Sequence, residues 1–143
     1  MPDSSEVTFL SAEQARYLAE MAERARIKLS HFAGYETFYD ATALQLLDEW
    51  IERVTERTPR PSQDLQVLWM AFLGETFRRR FEGEWVVHEG NGQNLSVMCP
   101  AVDGGLQVVE VSRQVQRRIV QGFSESMAFF YLREGVLLKK RKS

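Results

Sequence analysis

The chain has 143 residues, 44% of them hydrophobic and 27% charged, with a formal net charge of −2. This describes one ordinary globular domain, long enough to bury a core without a disulfide or metal staple. The single cysteine excludes an intramolecular disulfide and a four-thiolate zinc site, and no apolar run approaches the ~20 residues a membrane helix needs.

Residues 1–10 read as a flexible N-terminus. Met1 to Glu6 are polar and acidic and lack the basic start and apolar centre of a secretory signal. With one cysteine in the chain, the expected setting is reducing and cytoplasmic. The first helix starts at Ser11, where Ser11 and Gln14 have capping-box spacing. Ala15, Leu18, Met21, Ala22, Ala25 and Leu29 then form a thin apolar stripe that permits close packing, and the helix is expected to end near Ser30. A second helix spans Asp40 to Arg57 on the seam Leu44, Leu47, Ile51 and Val54, widened by Leu46 and Trp50. Thr58-Pro59-Arg60-Pro61 stops it, because proline disfavours helix at the residue before it. Residues 11–57 thus form a helical hairpin.

A third helix is capped by Ser62 or Asp64. From Val67 to Leu73 it is apolar all round, the pattern of a helix buried in the middle of a domain and suited to cover a sheet. Gly74 removes side-chain bulk for the close approach of another element. Gly83 reads as the C-cap. The period then shortens: Trp85 to His88, Leu95 to Cys99 and Leu106 to Val111 read as strands. Gly90-Asn91-Gly92 and Asp103-Gly104-Gly105 are the turns between them, so the strands form an antiparallel meander. A fourth helix starts at Ser112 with Val115, Ile119 and Val120 inward and stops at Gly122. Ser124 caps a last helix with Met127, Phe130 and Tyr131 on one side. The expected fold is α+β, with N-terminal helices, a three-stranded antiparallel meander and C-terminal helices. Residues 62–134 form an α+β core and 135–143 a basic tail.

Leu73-Gly74-Glu75, Arg78 to Arg80 and Gly83-Glu84-Trp85-Val86, followed by a meander and a helix with Arg117-Arg118, resemble a bacterial domain family of unknown function. The likeness spans roughly residues 65 to 132. It implies the fold of that segment and no mechanism.

Charge is unevenly placed. Residues 1–77 carry 13 acids and 7 bases, and residues 78–143 carry 7 acids and 11 bases. Two differently charged solvated faces account for this most simply. Glu75 is expected to pair with Arg78 and Arg79, at helical i+3 and i+4 spacing, rather than to act as a general acid. His31 and His88 fall in no ligand motif, and no metal or cofactor is expected. Cys99 alternates with Leu95 and Val97 on an apolar face, which disfavours a thiolate nucleophile with His88 as base. Tyr35, Phe38 and Tyr39 are expected to plug the end of the hairpin.

The leading expectation is a non-enzymatic protein-binding or regulatory protein, of adaptor or immunity type. It would contact a partner or a second copy through the N-terminal helices, and deleting residues 1–57 would abolish that contact and leave the remaining core soluble. One alternative is an enzyme or small-ligand protein with Glu75, Arg80 and His88 in a pocket between sheet and helices. Another is nucleic-acid binding through Arg78, Arg79, Arg113, Arg117 and Arg118, which the pI near 5.8 and the lack of a recognised binding motif disfavour.

Overall fold

The computed structural model describes residues 7–88 and 94–140. Met1 to Glu6, the Gly90-Asn91-Gly92 turn and Arg141 to Ser143 lie outside the described residues. The elements are, in order, β1 (Val7–Phe9), α1 (Ala12–Ala33), α2 (Ala41–Arg57), α3 (Gln63–Phe81), β2 (Glu84–His88), β3 (Asn94–Pro100), β4 (Leu106–Val109), α4 (Val111–Gln121), a 3₁₀ turn (Gly122–Glu125) and α5 (Met127–Gly135). The class is α+β, but the antiparallel sheet has four strands, in the order β1-β2-β3-β4, where three were expected. The extra strand, Val7-Thr8-Phe9, lies in the segment expected to be a flexible N-terminus. It pairs Val7 with His88 and Phe9 with Val86. Three residues are too few for alternation to be visible; the exposed edge of β2 makes them a strand.

The hairpin helices begin where the caps predict. In α1, Ser11 Oγ accepts from the Gln14 N–H at 3.1 Å while Gln14 Oε1 accepts from the Ser11 N–H at 3.0 Å. The helix outlasts Ser30 by almost a turn, closing at Gly34 with φ 85°. Asp40 caps α2 by accepting from the Ala43 N–H. The return loop is tied down by Thr37, whose N–H donates to Ser30 Oγ and whose carbonyl accepts from Arg26. Leu18, Ala22, Ala25 and Leu29 of α1 and Leu44, Leu47 and Ile51 of α2 share one core cluster with α3. The hairpin therefore packs on its own chain, and its apolar seams are consumed there.

In α3 every residue from Leu68 to Phe77 is buried, so this helix is the centre of the molecule. Ser62 is its cap. Its C-terminal end corrects the reading of Gly83: the left-handed position falls on Glu82, with φ 52°. Gly83 serves approach instead. A Cβ there would stand 2.6 Å from Val97 Cγ1 and 2.7 Å from Cys99 Sγ, so the missing side chain lets β3 lie against the start of β2.

Strands β2 and β3 pair Trp85 with Val97 and His88 with Asn94; β3 and β4 pair Val97 with Val109 and Pro100 with Leu106. Trp85, Val97, Cys99 and Val109 belong to the core cluster. Helix α4 departs from expectation. It begins at Val111, after Glu110, and its buried residues are Val111, Gln114, Val115 and Arg118. Val120, expected inward, is 79% exposed. The true inward stripe follows helical spacing but includes two polar residues, which a hydropathy reading passes over. Ser126, not Ser124, caps α5, whose Met127, Phe130 and Tyr131 are buried as expected. Beyond α5 the chain returns to the sheet. Leu138 bridges Ala101, the Val102 N–H donates to the Leu137 carbonyl at 2.9 Å, and the Lys139 N–H donates to the Pro100 carbonyl at 3.0 Å.

Candidate functional site

Glu75 lies at the joint between α3 and the sheet. Its side chain is fully buried and accepts four N–H bonds: Arg78 Nε at 2.6 Å, Arg78 Nη2 at 3.0 Å, Arg79 Nε at 3.2 Å and Trp85 Nε1 at 2.8 Å. The Trp85 ring reaches this carboxylate because Gly74, one residue earlier, has no side chain. A Cβ at Gly74 would fall 1.9 Å from Trp85 Cη2. Burial alone pushes the Glu75 carboxyl upward, but the bonds from Arg78, Trp85 and Arg79 outweigh it and hold the carboxyl below its ordinary range. A carboxylate so held is a poor proton donor near neutral pH. The expected ion pair is present, with tryptophan as a third partner. The segments Leu73-Gly74-Glu75 and Gly83-Glu84-Trp85-Val86 thus meet as a packing joint through Gly74, Glu75 and Trp85.

The network extends outward. Arg79 stacks over the Tyr39 ring at 4.1 Å, and Tyr39 stacks on Phe72 at 5.0 Å and donates through its hydroxyl to Glu23 at 3.1 Å. Of the three loop aromatics, only Tyr39 plugs the hairpin; Tyr35 and Phe38 are exposed.

The three residues proposed for a pocket have different neighbours. Glu75 is sealed in its joint. Arg80 borders a cleft at the C-terminal end of the fold. His88 sits at the end of β2, with Nδ1 3.0 Å from Glu110 Oε2, an oxygen that also accepts from Asn94 Nδ2 at 2.8 Å. Burial raises the Glu110 carboxyl, but the bonds from Asn94 and His88 bring it below the usual range.

The arginines also separate. Arg78 and Arg79 are held on Glu75, Arg113 lies 3.8 Å from Glu110, and Arg117 is exposed. Arg118 does not belong to a basic surface. Its side chain is 1% exposed and pairs with Asp48 Oδ1 at 2.9 Å and Glu52 Oε1 at 3.2 Å. Burying an arginine requires a partner of this kind, and α2 supplies it. Asp48 also accepts from the Met127 and Ala128 N–H groups at 2.8 and 3.0 Å, and so anchors the start of α5. Sequence reasoning missed this joint, although a signal was there: Asp48 occupies the fourth position after Leu44, inside the apolar seam of α2. Cys99 is fully buried and its thiol is pushed up to about 12 by burial, so it carries no thiolate at neutral pH.

Several concave surfaces are open among the described residues. A cleft of 590 Å³ lies between the end of α3, the outer face of α5 and the returning segment 136–140. Phe81, Tyr131 and Leu138 form its buried floor, and Val102, Leu132 and Val136 are exposed along it. Arg80, Gly135, Lys139 and Lys140 complete the lining among the described residues, and none of these lining residues is a carboxylate.

Among the described residues no group of three or more His, Cys, Asp or Glu side chains could hold a metal ion, and no helix is long and apolar enough to cross a membrane. Comparison with protein-family models, curated proteins and solved structures finds no match.

Proposed function

We propose that this chain is a non-enzymatic protein-binding module of the regulatory or adaptor kind, and that its contact surface is the C-terminal cleft. The carrying observation is the group of exposed large apolar side chains there: Val102, Leu132 and Val136 are 65%, 61% and 74% exposed. Contiguous apolar surface rimmed by polar groups marks interaction sites, because covering it releases water at little cost in pairing. The acidic clusters favour the same reading: Glu75 and Asp48 spend both carboxylate oxygens, and Glu110 its Oε2, on partners within the fold. The N-terminal helices are a weaker candidate surface, since their apolar seams are already buried.

The test compares three tagged proteins in pull-downs from the native host: wild type, Leu132→Glu in the cleft, and Tyr17→Glu on the exposed side of α1. Both positions are more than half exposed, so both variants should melt like wild type. A stoichiometric protein partner kept by Tyr17→Glu and lost by Leu132→Glu is expected. Loss with Tyr17→Glu alone would return the contact to the hairpin, and the lack of any stoichiometric partner would overturn the reading.

A further inference from the structure

We propose that the occupant of the cleft is an acidic peptide segment of a partner protein, with bulky apolar side chains set beside carboxylates. This rests on the reading that the cleft is the contact surface, and it adds the chemistry of what binds there. The argument is charge complementarity around an apolar floor. Arg80, Lys139 and Lys140 are all exposed, all line one cleft, and engage in no ion pair among the described residues. Other arginines of the same half are neutralised: Arg78 and Arg79 by Glu75, Arg118 by Asp48, and Arg133 lies 3.5 Å from Glu134. Three unpaired cations around one apolar cleft repel a basic ligand. Under a neutral one they lose water and gain no partner, whereas carboxylates repay that desolvation.

The cleft has the build of a peptide site. Its volume lies within the roughly 300–1,000 Å³ of small binding pockets, the size that takes a few side chains. Its far wall is preorganised, since the Val102–Leu137 and Pro100–Lys139 backbone bonds clamp the returning segment on both sides of the Ala101–Leu138 bridge. A wall fixed in advance lowers the ordering cost of binding.

The experiment uses the full chain, ¹⁵N-labelled, and three short peptides that share one pattern of Leu and Phe and carry Glu, Gln or Lys at the positions between; sodium laurate is a fourth probe. The Glu peptide should shift the amides of Leu132, Val136 and Lys139. Its affinity should weaken about tenfold in the Lys139→Glu, Lys140→Glu double variant and fall as salt is raised. Equal binding of the Gln and Glu peptides would overturn the acidic assignment while leaving the cleft a protein-contact site. Shifts with laurate and none with any peptide would overturn it in favour of a small anionic amphiphile. Silence of all four probes would overturn the occupant class, while the partner loss with Leu132→Glu separately decides whether the cleft is the contact surface.

Discussion

Trp85 and Glu75 stand ten residues apart in the chain and meet in the interior, the indole N–H donating to the carboxylate at 2.8 Å over a glycine that leaves room for the ring. This contact fixes the angle at which α3 delivers the chain into the sheet. Gly74 is the steric complement of the Trp85 ring and Glu75 the polar complement of its indole N–H.

Gly74→Ala is expected to destabilise the fold by about 1–3 kcal/mol, the usual cost of overpacking a filled core. With a Cβ 1.9 Å from Trp85 Cη2, the rigid ring must move. Urea unfolding followed by tryptophan fluorescence measures the loss. An unchanged midpoint would show that the ring is not seated there.

Glu75 makes stability depend on pH. Its carboxyl titrates below the ordinary 4.5 in the folded chain. Its contribution is therefore fully present above the unfolded value and is lost as pH falls through the folded one. Glu75→Gln removes the charge and leaves Arg78 and Arg79 short of an acceptor, so it should cost about 2–4 kcal/mol at neutral pH. The gap between variant and wild type should narrow below pH 4.5. A gap independent of pH would assign the cost to packing alone.

Asp48 and Arg118 should behave as a unit. Asp48→Ala strands a buried guanidinium and removes the anchor of α5, with an expected cost of about 3–5 kcal/mol. Replacing both, Asp48→Leu with Arg118→Met, should cost markedly less than the sum of the single changes. A double-mutant cycle by chemical denaturation measures the coupling, and additivity within error would contradict the geometry.

Cys99 should be inert while the chain is folded. With the thiol raised to about 12 and no exposed surface, a thiol reagent at pH 8 should label it only in denaturant. Rapid native labelling would mean that the sheet opens at β3.

Removing residues 1–57 should yield an aggregating remainder, contrary to the expectation of a soluble core. The buried middle of α3 would lose the cover of α1 and α2 and expose its apolar faces to water. Recovery of a monomeric, cooperatively folding fragment would show the hairpin to be an appendage.

Local rules made much of the fold legible. The Ser11–Gln14 capping box, the Asp40 cap, the proline stop at Thr58 to Pro61, the all-apolar run of α3 and the shift of period at Trp85 each act within a few residues, so the chain alone specifies them. Glu75 with Arg78 and Arg79 was legible for the same reason, being one turn apart on one helix. What tertiary structure decided is contact between distant segments. Val7 to Phe9 become a strand only because β2 presents an open edge. Gly83 is required by β3 rather than by the helix end. Arg118 turns inward because Asp48, 70 residues away, offsets its desolvation. The cleft likewise has no linear signature. Arg80, Val102, Leu132 and Lys139 share a surface because the chain beyond α5 folds back on the sheet, and hydrogen bonds to Pro100 and Val102 hold it there.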